Sequence, residues 1–324
     1  MLSRVAENLY WMGRYLERAE NTARFINSMT QVRLDLPRSA SFGWDVLLKV
    51  AGLDHVYAER YPDQKLIDED TIIPFLIEEP DNPSSILASI HNARENARTV
   101  REVLPMELWE RINSLYLYIR DNADRARIGR GPRNELLQGV IGRRESIIGL
   151  LTGSMSEDVA YQFIKLGRNL ERADMTTRII DVNSAVRLPR DPALAAVTTE
   201  RMWMSTLSAL SALQMYRRHV GVHVGGNDVV NYLLKDPHFP RTVLHCLAEL
   251  EGCLSVLPEH RDAMKKVRQC WRRVEGMALD DLKPTVLHEY LDQVQSDLGE
   301  VHNAASRQYF HRYQQEVGAG GAAQ

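Results

Sequence analysis

The chain has 324 residues, is 44% apolar and 26% charged, and carries a formal net charge of −3. That balance belongs to a globular protein with a sizeable core, and it offers no electrostatic attraction for nucleic acid or an anionic membrane. No apolar run approaches the ~20 residues of a spanning helix, MLSRVAENLY lacks the apolar stretch of a secretory signal, and Cys246, Cys253 and Cys270 have no metal-finger or CxxC spacing, so a cytoplasmic location is expected.

A first helix is predicted from Ser3, its cap, to about Thr30. Its apolar positions Leu9, Met12, Leu16, Ala19, Ala23 and Ile26 follow steps of three and four, a helical seam. A loop around Leu36 to Ser41 carries Pro37, and a second helix is predicted from Phe42 to Glu59, stopped at Tyr61-Pro62. Asp70 reads as the cap of a short helix through Glu78. Asn82 reads as the cap of a long helix, Ser84 to Leu104, with Pro83 at its first position. Pro105 opens a helix to about Ala126. The run RARIGRGPR, Arg125 to Arg133, reads as a basic loop, either solvated or binding an anion or a partner. Asn134 is expected to cap a helix to Leu151, and Ser156 the helix after it.

Pro189 and Pro192 mark a linker, and Ala193 to His219 reads as one long helix. GVHVGGND reads as a loop, with Asn227 or Asp228 capping a short helix before Pro237. Pro240 starts the next helix, Pro258 separates it from another, and Pro284 opens the last, through Tyr313. The glycine-rich tail, 317–324, reads as disordered. The expected fold is all-α.

One stretch occurs twice. LYWMGRYLERAENTARFI, Leu9 to Ile26, aligns without a gap on FIKLGRNLERADMTTRII, Phe163 to Ile180, 154 residues on. Phe75 to Leu87 aligns likewise on Tyr232 to Leu244, 157 residues on. The expected organisation is therefore two homologous helical bundle halves packed together, 1–155 and 156–316. The units are too long for a solenoid, whose repeats span ~20–50 residues.

Beside each apolar seam runs a polar line at helical spacing: Gly13, Glu17, Glu20, Arg24, and then Gly167, Glu171, Asp174, Arg178. Arg14 and Arg168 adjoin them. Carboxylates beside a seam are partly buried and need partners. Three arrangements fit: a helix–helix salt network, a pocket binding an amine, carboxylate or phosphate, or a metal centre. The metal option is the weakest, because neither pair is followed by the histidine of an E-x-x-H motif and arginines already compensate the charge. No metal or cofactor is expected. A second cluster, Arg94, Glu95 and Arg98 on the helix Ser84 to Leu104, is either a set of intrahelical pairs or an anion-binding face. No nucleophile motif or dinucleotide loop is present, so the residues name no reaction.

The segments NLYWMGRYLERAENTAR, DNPSSI, ARENAR and LGRNLERAD together resemble the bacterial alpha-E domain family, an all-helical family, over nearly the whole chain. The resemblance implies partnership with an ATP-grasp ligase and a transglutaminase-like protein. It further implies work on a peptide or amino-acid-like ligand, as an accessory or substrate-binding component of peptide or amide-bond ligation. The alternatives are an independent transferase or hydrolase using the carboxylates, and a structural adaptor. Arg14, Glu17, Glu20, Arg24, Arg94, Glu95, Arg98, Arg168, Glu171, Asp174 and Arg178 are the candidate cleft residues, and the first carboxylate pair is expected to share a cleft with the Arg94 cluster.

Overall fold

The computed structural model describes residues 2–35, 43–63, 67–184, 188–278 and 283–310. Every regular element in them is helical. In chain order they are α1 (Ser3–Asp35), α2 (Asp45–Ala51), α3 (Asp54–Arg60), α4 (Glu69–Ile77), α5 (Ile86–Thr99), α6 (Met106–Asn122), α7 (Arg125–Ile128) and α8 (Arg130–Ser154). There follow α9 (Val159–Asp181), α10 (Pro192–Ala209), α11 (Leu213–His219), α12 (Gly226–Lys235), α13 (Val243–Val256), α14 (Arg261–Glu275) and α15 (Pro284–Tyr309). Short 3₁₀ turns follow α5 and α9. No described helix is long and apolar enough to cross a membrane.

The two helices that carry the repeated stretch, α1 and α9, lie against each other at the centre. α5, α8 and α10 cover α1, and α13, α15 and α2 cover α9. Both seams are therefore enclosed: Leu9, Met12, Leu16, Ala19, Ala23 and Ile26 are buried, as are Phe163, Leu166, Leu170, Ala173 and Ile180. Enclosure goes further on α9, where Gln162, Asn169, Glu171, Arg172, Thr176 and Thr177 are buried too. A helix covered on all sides must pair its polar groups inside the protein.

Two glycines set the approach. A Cβ on Gly13 would clash with the Ile164 carbonyl oxygen, and one on Gly167 with the Tyr10 carbonyl oxygen. The contacts are reciprocal: Gly13 and Gly167 are matching positions of the repeat, as are Tyr10 and Ile164. Only glycine lets two backbones come this close.

Several boundaries differ from expectation, each for a local reason. The helix expected over Phe42 to Glu59 is two helices. Gly52, at φ +66, donates to Leu48 and Lys49 and closes α2, while the Leu53 N–H also returns to Leu48, the double closure of a left-handed helix end. Asp68, not Asp70, caps α4 by accepting from the Thr71 N–H. Ser85 caps α5 by accepting from Ala88. Asn82 is instead wholly buried, accepting from the Ser84 N–H and donating to the Phe75 carbonyl, so it pins the turn. Asp158 caps α9 in place of Ser156, and Thr242 caps α13, so Pro240 stands ahead of the helix. α12 starts at Gly226, with Gly225 at the cap position rather than Asn227 or Asp228.

The basic run 125–133 is mostly helical. Gly129, at φ +156, separates α7 from α8, which begins at Arg130 and not after Asn134. Carboxylates hold the run: Arg127 Nε lies 2.6 Å from Glu78, Arg125 Nη2 lies 2.6 Å from Glu135, and buried Arg133 pairs with Glu69. The helix expected over Ala193 to His219 breaks at Ser211, whose φ of +55 places it in the left-handed region. The last helix, expected through Tyr313, ends at Tyr309 with Phe310 as its cap; the loop around Leu36 to Ser41, residues 311–313 and the tail 317–324 lie outside the described residues.

Candidate functional site

Each repeated stretch carries the dipeptide Glu-Arg, at Glu17-Arg18 on α1 and at Glu171-Arg172 on α9. The two exchange partners across the helix crossing. Arg18 donates from Nε to Glu171 Oε1 at 2.6 Å and from Nη2 to Oε2 at 3.1 Å. Arg172 donates from Nε to Glu17 Oε1 at 2.8 Å and from Nη2 to Oε2 at 3.0 Å. Each arginine thus makes a two-point grip on the carboxylate of the other helix, the geometry in which guanidinium–carboxylate pairs are strongest.

Around this exchange the two sides diverge. Glu171 also accepts from Arg14 Nε at 2.7 Å. Arg168 occupies the matching place on α9 but makes no counterpart bond to Glu17. Arg144 of α8 and Arg241, just before α13, stand there instead. Arg144 Nη2 donates to Glu17, and Arg241 Nη1 lies 3.0 Å from Glu17 Oε1. Glu20 accepts from Arg24 Nε at 2.7 Å and from Arg241 Nη2 at 2.6 Å, and its second oxygen lies 2.5 Å from Arg144 Nη1. Arg241 is itself fixed by donation to Asn21 Oδ1 at 2.9 Å. Arg24 reaches on to Glu145 and to the Ser211 hydroxyl, at 2.6 and 2.7 Å, which helps hold the left-handed turn after α10.

Glu17 and Glu20 are 0% exposed and Glu171 is 2% exposed. Burial pushes the Glu171 carboxyl up, but the Arg18 and Arg14 charges outweigh it and bring it from an ordinary 4.5 to about 2. Glu17 is likewise pushed up by burial and then held well below its ordinary value by Arg144, Arg172 and Arg241. Burial lowers Arg144 from the ordinary guanidinium value despite its two carboxylate neighbours, yet a guanidinium stays charged in a protein. The three carboxylates are therefore ionised around neutral pH and surrounded by donors.

A pH dependence follows. The folded-state value of Glu171 lies below its unfolded value of about 4.5. Its contribution is complete above that value and is lost as pH falls toward 2, on the order of 3 kcal/mol over the window. Glu17 acts with the same sign. Urea unfolding followed from pH 6 to pH 2 should show a steep stability loss below about pH 4.5, and Glu171→Gln should show a shallower one.

The remaining candidates sit elsewhere. Asp174 pairs with Arg178 at 2.8 Å near the surface, with side chains 20% and 28% exposed. Arg178 also lines a cavity of about 510 Å³ that includes Lys49, Asp181 and His288. Arg94 donates to Asn113 of α6 at 2.7 Å and to Glu95 at 2.6 Å, and Arg98 donates to Glu95 at 2.8 Å. The Arg94 guanidinium lies over the Trp109 and Tyr116 rings. These bonds tie the Arg94 cluster to α5 and α6, whereas the bonds of Glu17 and Glu20 go to α1, α8, α9 and Arg241.

Four principal partners are absent from the candidate residues: Arg18 and Arg172, which lie inside the repeated stretches, and Arg144 and Arg241. A signal existed for Arg144, which interrupts the buried line Val140, Ile141, Ile147 and Leu151 of α8. Arg241 carries no such mark.

The sequence model of the Alpha-E family, described as a predicted alpha-helical domain with a conserved ER motif, matches residues 1–310. The chain belongs to the Alpha-E family. The chain is similar to an uncharacterized protein of Mycobacterium bovis and to two of Mycobacterium tuberculosis. Each is 26% identical over 278 residues, covering 79% of this chain and 30% of the relative. This Alpha-E chain thus spans less than a third of the length of those relatives. No solved structure matches it.

Proposed function

We propose that this Alpha-E chain is an accessory or substrate-binding component of a peptide or amide-bond ligation or peptide-modification system, working with an ATP-grasp ligase, and that the exchanged Glu-Arg pairs are its architectural clamp. The observation that carries the second part is the sealing of the clamp. Glu17 and Glu20 have no exposure, and arginines from three helices and from the turn before α13 occupy them. A catalytic acid or base must reach its substrate and exchange a proton near working pH; carboxylates held this low and this deep do neither. That weighs against an independent transferase or hydrolase built on these groups. Association with a ligase and with a transglutaminase-like protein rests on the family resemblance.

The same reading includes an internal duplication, with halves 1–155 and 156–316. Three reciprocities favour it. The Glu-Arg exchange is symmetric. The glycine contacts at the α1–α9 crossing are symmetric. Ser85 and Thr242, 157 residues apart in the aligned segments, cap α5 and α13 in the same way, each accepting from the N–H three residues on. Each half would contribute one clamp helix, and neither could satisfy its buried carboxylate alone.

Affinity capture of the tagged chain from its own cells tests the functional part. Stoichiometric recovery of an ATP-dependent ligase is the expected result. Reproducible recovery of intact chain with no such enzyme, together with turnover by the purified chain alone, would replace this reading with the independent-enzyme one.

A further inference from the structure

We propose that Asp181, His288 and Asp292 form a binding site for a divalent transition-metal ion at the cavity between α9 and α15. One ligand atom from each residue lies within 4.8 Å of the others. His288 Nδ1 is 2.8 Å from Asp181 Oδ2, and its Nε2 is 3.6 Å from Asp292 Oδ2. His288 is half-exposed, and its two ring nitrogens face one carboxylate each. Two carboxylates and one imidazole are the donor set of zinc, manganese and ferrous sites, and they leave positions open for water or a ligand.

The framework suits the role. His288 and Asp292 are one turn apart on α15, and Asp181 is the last residue of α9, so rigid helices fix all three backbones. Asp181 and Ser184 both line this cavity. Lys49 and Arg178 line the same cavity. The ordinary alternative is a histidine hydrogen-bonded to Asp181 and near Asp292, with no affinity for metal.

The inference stands apart from the proposed partnership with a ligase. Its test is calorimetric titration of the full chain, stripped with chelator, with zinc and then manganese chloride. One ion per chain is expected. Affinity should fall at least about tenfold, as at other metal sites that lose a ligand or its support, in both His288→Ala and Asp181→Asn. His238→Ala, an exposed histidine elsewhere, should bind as the wild type does. Asp292→Asn, at an exposed position, provides a ligand variant with little burden on folding, and circular dichroism confirms that each variant is folded. No binding, or binding equally tight in folded His288→Ala and Asp292→Asn, overturns the site.

Discussion

Replacing Glu17 by alanine should cost ~3–5 kcal/mol of stability, the range for removing one partner of a buried ion pair. The size comes from what remains, not from what is lost. Arg144, Arg172 and Arg241 converge on Glu17, and Arg144 and Arg241 are then left with Glu20 as their one carboxylate partner. Three guanidiniums close together in a space closed to water repel one another, with no solvent to screen them. Glu17→Gln should also be severe, because it keeps shape and removes charge. Arg18→Ala should be milder, since Arg14 continues to hold Glu171. Urea midpoints, with the slope checked for constancy, give the ranking. A Glu17→Gln protein as stable as the wild type would contradict the clamp.

Gly13→Ala and Gly167→Ala should each destabilise by ~1–3 kcal/mol or more, the cost of forcing atoms into a packed interface. The obstacle in each case is a backbone carbonyl of the facing helix, which no rotamer change can move. α1 and α9 would have to separate, stretching the Glu-Arg exchange with them. Gly252, inside α13, is the control: a Cβ there meets nothing within 4 Å, so Gly252→Ala should stabilise by ~0.5–1 kcal/mol through helix propensity. The double variant Gly13→Ala, Gly167→Ala should cost less than the sum of the singles, because the first separation makes room for the second. Thermal and urea unfolding of the four proteins would show this. Equal, small effects at all three glycines would mean that the helices do not approach as described.

What was legible in the sequence follows the range of the interaction. The seams of α1 and α9 were legible because a period of three and four over six positions has one structural meaning. The polar line beside each seam was legible because it occurs twice. The origin of its partners was not: Arg144 lies 127 residues from Glu17, and Arg241 lies 224. No local pattern encodes such distances. Helix starts slipped by a few residues wherever Ser, Thr, Asp and Asn crowd together, as at 68–70 and 81–85, since each is a competent cap and packing decides among them. The run 125–133 looked like a solvated loop because its counter-charges, Glu69 and Glu78, come from elsewhere in the chain. Asp181, His288 and Asp292 were invisible for the same reason, since the pair on α15 becomes a cluster only when the end of α9 is beside it.

The central claim is that the two Glu-Arg pairs are coupled across the helix crossing. A double-mutant cycle on Glu17 and Arg172, by equilibrium urea unfolding, measures that coupling directly. The account predicts that Glu17→Gln and Arg172→Gln interact by more than ~1 kcal/mol, within the range for contacting charged residues, whereas effects additive within ~0.5 kcal/mol would contradict it.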